Sequence, residues 1–83
     1  MNIIFEKENQ RAAIYDGDKE IGVCTYEERD DKWAITHTIV SPDYQGQGLA
    51  RKVLECVLDA AEKEGKGVIP ICSYAVHYLE KNK

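Results

Sequence analysis

The sequence contains no paired cysteine motif and no long hydrophobic run. Its 83 residues include three cysteines, Cys24, Cys56 and Cys72, which are widely spaced and form no CxxC pair. An odd, scattered set of this kind indicates neither a disulfide framework nor a zinc site, and it fits a reducing cytoplasm. The segment Met1–Glu6 has neither the basic start nor the apolar stretch of a signal peptide. We therefore expect a cytoplasmic protein without a metal, a membrane span or a secretion signal.

Positive charge is also in short supply. The chain has 11 Lys and Arg against 15 Asp and Glu, which gives a formal net charge of −4. Broad nucleic-acid binding needs a basic surface, so we expect no nucleic-acid partner, and any phosphate site has to be local. Hydrophobic residues at 43% and charged residues at 31% are typical of a soluble folded protein. The length predicts a single domain over residues 1–83.

The first half of the chain has the pattern of strands joined by tight turns. Four segments are rich in β-branched and aromatic residues and predict strands: Asn2–Lys7, Arg11–Asp16, Lys19–Glu28 and Trp33–Val40. Short polar connections, such as the turn around Gly17, make successive strands antiparallel neighbours. The first half is therefore predicted to form a four-strand antiparallel meander.

The second half begins with a helical period. From Leu49 the apolar residues recur at spacings of three and four, which predicts an amphipathic helix of about seventeen residues that ends near Gly65. The apolar run Val68–Cys72 predicts a fifth strand, and a helical crossover makes it parallel to the fourth. Because Pro70 cannot donate to a ladder, this strand should pair on one side only or splay from its neighbour. With a short final helix at Tyr74–Lys81, the fold class is α/β of the α+β type.

The turn Gln45–Ala50, which opens the long helix, carries the main functional signal. Gly46 and Gly48 permit a sharp turn and a close approach of the backbone to a ligand. The unpaired amides of the helix start favour an anion, and Arg51 and Lys52 would oppose the helix dipole unless an anion lay nearby. The alternative is a turn with a purely structural role. The Rossmann and P-loop patterns are rejected, because the residues after the turn do not match them.

This turn resembles a motif of the GCN5-related N-acetyltransferases. The segment Gln45-Gly46-Gln47-Gly48-Leu49-Ala50 matches the family's pyrophosphate motif, which is Gln or Arg, two residues, Gly, one residue, and Gly or Ala. The segment Ala75–Lys81 resembles the family's last helix, and Tyr78 falls on the tyrosine that the family keeps near the thioester sulfur. The resemblance covers roughly residues 19–83 and looks like the small, shortened subgroup that includes YjdJ-type proteins.

The resemblance implies an acetyl-CoA or coenzyme A site and an N-acetyltransferase activity. The acceptor would be an amine of a small molecule or a protein. Main-chain groups of the fourth strand, at Thr38, Ile39 and Val40, would contact the pantetheine. The phosphates would lie on the turn and the start of the helix, at Gln45, Gly46, Gln47, Gly48, Leu49, Ala50, Arg51 and Lys52.

Three side chains are candidate catalytic groups. The phenol of Tyr78 stays protonated at neutral pH and would donate a proton to the departing thiolate; the alternative is a packed helix tyrosine. An imidazole at position 37 would suit a general base, but His37 alternates with Trp33 and Ile35 and would equally suit a core position. Cys72, at the end of the fifth strand, is either a small buried residue or, in a covalent route, a nucleophile that accepts the acetyl group. Direct transfer is the preferred route.

The sequence departs from the family in its acceptor half. Typical members have two helices between their first two strands and a hairpin after the tyrosine helix, and 83 residues leave no room for either. Two alternatives to a transferase therefore stay open. One is a coenzyme A-binding module with little catalysis, completed by a homodimer or a partner subunit. The other is an interaction domain in which the glycine turn only shapes the backbone.

Overall fold

The first half of the chain folds as the predicted meander. The structure, a computed structural model, describes residues 1–81. Its first four strands lie side by side in chain order, each antiparallel to the next: β1 Asn2–Glu6, β2 Arg11–Asp16, β3 Lys19–Arg29 and β4 Lys32–Val40. A short 3-10 turn at Lys7–Asn9 joins β1 to β2. The four-strand prediction is confirmed, with strand ends displaced by at most one residue.

The second half supplies a crossover and a fifth strand. Helix α1 spans Leu49–Lys63, strand β5 spans Gly67–Pro70 and helix α2 spans Ser73–Lys81. Strand β5 joins the sheet at its edge, parallel to β4. The predicted fold class is therefore confirmed. Within residues 1–81, neither helix combines the length and the apolar character needed to cross a membrane.

The end of β5 differs from its prediction. The strand stops at Pro70 and not at Cys72, because the amides of Ile71 and Cys72 both donate to the carbonyl of Ile35, at 3.0 and 2.9 Å. A shared acceptor cannot continue a regular ladder, so the chain turns away there. The Cys72 carbonyl then accepts the amide of Val76 at 3.0 Å. Cys72 is thus the residue that precedes α2, and the prediction that it ends the strand is wrong.

The core lies between α1 and one face of the sheet. Helix α1 turns its apolar face toward the sheet. On this face Val53, Leu54 and Val57 are completely inaccessible to solvent. On the sheet, Trp33 stacks on Tyr26 with ring centres 4.1 Å apart, and Phe5 flanks the pair. This one-sided packing follows from the periodicity of the helix and fixes the position of its N-terminus relative to β4.

A β-bulge in β4 changes which of its side chains face α1. Ile35 and His37 pair with consecutive residues of β3, so Thr36 is an extra residue in the strand. Before the bulge, Trp33 and Ile35 are buried in the core, whereas His37 after it is exposed. The expectation that His37 shares a face with Trp33 and Ile35 is therefore wrong, because one inserted residue reverses the alternation.

Candidate functional site

Strands β4 and β5 part at the centre of the site. Their ladder ends at the pair Ile35 and Pro70, and it is not resumed in the part of β4 from Thr36 to Val40. This agrees with the expected splay, and Pro70, which has no N–H to donate, stands at the point of separation. The segment of β4 assigned to pantetheine contacts, Thr38–Val40, thus lies beyond the ladder.

The glycine turn leads from β4 into an uncapped helix start. Gly46 and Gly48 have φ of 84° and 74°, in the left-handed region where glycine avoids the strain of a side chain. Gly48 precedes α1, and among the described residues no side chain caps the free amides of this first turn. The first turn contains no acidic residue but does contain Arg51 and Lys52. Free amides, the positive end of the helix dipole and two cations therefore coincide, as an anion site requires.

Two side-chain contacts fix the turn in place. The hydroxyl of Tyr44 donates to Oδ2 of Asp16 at 2.6 Å, which fastens the turn to the β2–β3 hairpin. The amide Nε2 of Gln45 donates to the carbonyl of Val40 at 3.2 Å, at the end of β4. Gln45 was predicted as a cofactor contact, and here it orders the turn. Sequence reasoning missed Tyr44, because its partner lies 28 residues away and no local pattern joins them.

The turn borders one pocket, which adjoins a second. The first pocket, of about 220 Å³, is lined by Val40, Tyr44, Gln45, Gly46, Gly48, Leu49, Ala50 and Tyr74. Tyr74 is also a wall of the second pocket, of about 410 Å³, whose other walls are Arg51, His77, Tyr78 and Lys81. The second pocket is thus bordered by Lys and Arg side chains from both helices, although the whole chain is acidic.

Tyr78 of α2 contacts two side chains of α1. Its hydroxyl donates to Oε2 of Glu55 at 2.6 Å, and the same oxygen accepts a hydrogen bond from Nε of Arg51 at 3.2 Å. The Arg51 guanidinium also lies 5.9 Å from the centre of the Tyr78 ring. The hydrogen bond to Glu55, with a further contribution from burial, raises the pKa of Tyr78 above its usual value of 10.0. The phenol is therefore protonated at neutral pH, as the proposed proton donor has to be.

Glu55 is a member of this site that sequence reasoning did not find. Its pKa is lowered from the usual 4.5, first by the hydrogen bond from Tyr78 and then by Arg51. The spacing of four residues from Arg51 is an ordinary pattern for ion pairs on helix surfaces, so it gave no signal. Only the tertiary fold, which places α2 beside β4 and β5, brings Tyr78, 23 residues further along, to the same carboxylate.

Cys72 lies beside β4 at the start of α2. Its thiol donates to Oγ1 of Thr38 at 3.5 Å, and its sulfur accepts the amide of Ala75 at 3.4 Å. The Thr38 hydroxyl in turn donates to the sulfur of Cys24 at 3.5 Å. Burial raises the pKa of Cys24 to about 11, so that thiol stays protonated. The contact between Thr38 and Cys72 was not predicted, because only main-chain contacts were assigned to Thr38.

The three candidate catalytic side chains occupy different surroundings. Cys72 contacts Thr38, and Tyr78 contacts Glu55 and Arg51. His37 is exposed and lies across from Thr25 of β3, after the bulge that reverses the strand. The described structure thus joins Tyr78 to Arg51, one of the residues predicted to contact phosphate, and leaves His37 on the face of the sheet that α1 does not cover.

Comparisons with known proteins agree on the family. A family model described as GCN5-related N-acetyl-transferase matches residues 11–83. The fold is similar to the solution NMR structure of a proposed GCN5-like N-acetyltransferase from Staphylococcus aureus, with a TM-score of 0.77 and 31% sequence identity. That similarity covers 98% of this chain and 79% of the other. A comparison with curated protein sequences gives no significant match. Since the family model matches most of the chain, this protein belongs to the GCN5-related N-acetyltransferase family.

Proposed function

We propose that the protein is an acetyl-CoA-dependent N-acetyltransferase that transfers the acetyl group directly to an amine. The observation that supports this best is the uncapped start of α1. There two glycines with positive φ border one pocket and Arg51 borders the adjoining one, and the first helical turn combines free amides with the cations Arg51 and Lys52. This combination suits a ligand with several phosphates, because the free amides, the helix dipole and the cations each stabilise a bound anion.

The phosphates of the cofactor would occupy the turn and the start of α1. The amides of the first helical turn would donate to a pyrophosphate, and Gly46 and Gly48 keep side chains out of its way. Arg51 and Lys52 would pair with its charge, and Lys81 borders the same region from α2. Such a local arrangement explains how an acidic protein would still bind an anionic cofactor.

The acetyl-bearing arm would enter the gap where β4 leaves β5. Main-chain groups of Thr38, Ile39 and Val40 are proposed to hold the pantetheine, since this part of β4 lies beyond the ladder with β5. Backbone N–H groups there would polarise the thioester carbonyl, as donors fixed before the reaction do in acyl transfer. The proposed site therefore combines two features that the sequence predicts, the separation of β4 from β5 and the glycine turn before α1.

The proposed reaction needs one proton to leave the amine and one to reach the sulfur. The amine nitrogen attacks the carbonyl carbon, the carbon–sulfur bond breaks, and the departing thiolate takes a proton from Tyr78. The exposed His37, or water, would accept the proton that the amine loses. In the covalent alternative the thiolate of Cys72 attacks the carbonyl carbon and coenzyme A leaves as a thiolate. The amine then attacks the acetyl-cysteine, and the sulfur of Cys72 is the second leaving group.

A coenzyme A-binding module with little catalysis is the second candidate. It is favoured by the connection from β1 to β2, where a 3-10 turn of three residues stands in place of any acceptor-binding helices. The separation of His37 from Tyr78 points the same way. In this case a second copy of the chain or a partner subunit would have to complete the acceptor half.

Ligand binding followed by turnover tests both candidates. Acetyl-CoA at about 100 times its Kd should add roughly 2.7 kcal/mol to the unfolding free energy, a large rise in Tm for a domain of this size. Turnover is then measured with a panel of amines and basic proteins. A Tm shift with turnover supports the transferase, and a shift without turnover supports the binding module. No shift at millimolar acetyl-CoA would contradict both.

A further inference from the structure

Glu55 occupies a junction between the proposed phosphate site and the proposed proton donor. One of its oxygens, Oε2, accepts hydrogen bonds from both Arg51 and Tyr78, at 3.2 and 2.6 Å. Arg51 also borders the larger pocket together with Tyr78. The Glu55 carboxylate thus neutralises Arg51, which is proposed to bind a phosphate of the cofactor. It also accepts a hydrogen bond from Tyr78, which is proposed to protonate the leaving thiolate.

This arrangement is more than a surface ion pair. The side chain of Arg51 is 62% exposed and that of Glu55 is 38% exposed, so the pair alone would contribute little to stability. Tyr78 is the third member of the cluster, and it packs against the core. Its position is therefore fixed, and it cannot move with the Glu55 side chain. A change in the partner of Arg51 therefore changes the surroundings of a positioned phenol.

We propose that Glu55 is a positioning residue that pairs with Arg51 in the unliganded protein and yields it to a phosphate of coenzyme A. Glu55 then keeps Tyr78 as a hydrogen-bond partner of Oε2, so that cofactor binding changes the electrostatic surroundings of the proton donor. This inference rests on the proposed function of the site.

Simple electrostatics gives the direction of the effect. A phosphate group carries at least as much charge as a carboxylate and forms equally good paired hydrogen bonds with a guanidinium. Glu55 competes with it for Arg51 and also repels it, so the carboxylate lowers the affinity for coenzyme A. In return, Glu55 keeps Arg51 and Tyr78 oriented while the site is empty. This loss of affinity applies only to a ligand that carries phosphate.

The substitution Glu55→Gln separates these effects, because it removes the charge and keeps an oxygen that can accept from Tyr78. We expect it to tighten the binding of coenzyme A by about two- to fivefold at low ionic strength, the range of an exposed ion pair. The gain should shrink in high salt, which screens exposed charges. Binding of pantetheine, which lacks phosphates, should not change. Isothermal titration calorimetry measures all of these affinities.

Two control variants make the result specific. Glu62→Gln removes the same charge from an exposed position further along α1 and should leave the affinity within about twofold of the wild type. In an Arg51→Gln background, Glu55→Gln should tighten binding clearly less, because only the direct repulsion between Glu55 and the phosphate is left to relieve.

A spectroscopic measurement tests the link to the phenol. The tyrosinate absorbance of Tyr78, obtained by subtracting the titration of Tyr78→Phe, should show a lower phenol pKa in Glu55→Gln than in the wild type. A purely structural role for Glu55 would leave the difference between coenzyme A and pantetheine affinities unchanged.

The outcomes distinguish this inference from the function on which it rests. If wild-type protein binds coenzyme A and Glu55→Gln binds it equally or more weakly, the inference is overturned and the cofactor assignment survives. An equal gain for pantetheine would also overturn it, because the gain would not concern phosphate. If neither form binds coenzyme A, the proposed function and the inference both fail. Tighter binding of coenzyme A but not of pantetheine, with a clearly smaller gain in the Arg51→Gln background, supports the coupling.

Discussion

At the scale of single residues, the two candidate chemical groups are held in different ways. Tyr78 donates to a carboxylate that raises its pKa, which keeps the proton on the phenol and makes the phenol a weaker acid. Cys72 has its sulfur at the start of α2, where it accepts the amide of Ala75. Direct transfer depends on the first residue, and a covalent route depends on the second.

Substitution of these two residues distinguishes the routes. For direct transfer, Tyr78→Phe keeps the ring and removes the donor, so turnover should fall by roughly 10- to 1,000-fold. Cys72→Ala should then have a mild effect. Rates are measured with acetyl-CoA and an accepted amine. Intact-protein mass spectrometry after a brief acetyl-CoA pulse supplies the decisive control, because an acetyl adduct on Cys72 that the amine discharges would refute direct transfer.

Two further tyrosines, one with and one without a hydrogen-bond partner for its hydroxyl, test what such a partner contributes to stability. Within the described chain, the hydroxyl of Tyr26 is buried without a hydrogen-bond partner, whereas that of Tyr15 donates to Glu6 at 2.6 Å. An unpartnered buried hydroxyl costs about 1–3 kcal/mol, so Tyr26→Phe should raise the unfolding free energy by roughly 1 kcal/mol. Tyr15→Phe should lower it. Urea denaturation measures both, and a loss of stability in Tyr26→Phe would mean that its hydroxyl is satisfied in solution.

The residues that the sequence could predict are those whose role is local. Gly46 and Gly48 were found because a turn into a helix restricts φ within a few residues. Glu55 and Tyr44 were not found, since each acts through a partner more than twenty residues away. A sequence pattern records the period of one element but not which side chains two packed elements bring together.

At the scale of elements, periodicity predicted the strands and α1 but not their irregularities. The bounds of β2 were predicted without error, since polar turns flank its apolar residues on both sides. The bulge at Thr36 left no visible sign, because one extra residue in a strand of mixed polarity looks like continued alternation. That single residue decides which face His37 occupies, so the candidate general base depends on a feature that periodicity cannot reveal.

The two ends of α1 offer a matched test of the glycine turn. Gly48 before the helix and Gly65 after it both have positive φ, of 74° and 70°, and an added Cβ would meet nothing within 4 Å at either position. Gly48→Ala and Gly65→Ala should therefore cost similar stability, roughly 1–2 kcal/mol. Only the Cβ at position 48 would project beside the proposed phosphate.

Coenzyme A affinity separates the two variants. We expect a loss of about tenfold in Gly48→Ala, equivalent to roughly 1.4 kcal/mol, and no significant loss in Gly65→Ala. Circular dichroism verifies that both remain folded, and calorimetry measures binding. Equal affinities in the two variants would locate the phosphates away from the turn.

At the scale of the whole molecule, the sheet is covered on one face only in the described structure. Helix α1 packs on the face that contains Trp33, while Ile4 and Ile39, at 47% and 59% exposure, lie on the other. The connection from β1 to β2 is too short to supply a second layer. The elements that would position the proposed cofactor site, β4, β5 and α1, lie together in the described structure, and the face left open is the one that bears His37.

The stability of the whole domain should have a broad maximum between about pH 5 and pH 9. The pKa of Glu6 is lowered from 4.5, first by the hydrogen bond from Tyr15 and then by Arg11, and that of Glu55 is lowered as well. Groups with a depressed native pKa stabilise the fold above their unfolded pKa, so this contribution is lost as the pH falls below about 4.5.

The loss of stability at alkaline pH arises from groups whose native pKa is raised. Hydrogen bonds to carboxylates raise the pKa values of Tyr15 and Tyr78 above 10.0, and burial raises that of Cys24 from 9.0 to about 11. A raised native pKa stabilises the fold below the unfolded pKa, so stability should fall as the pH rises above about 9. Urea midpoints measured from pH 3 to pH 11 test both limbs. Glu6→Gln should flatten the acid limb and leave most of the alkaline one, because Tyr78 and Cys24 retain their surroundings. A midpoint that rises between pH 9 and pH 11 would be incompatible with these shifts.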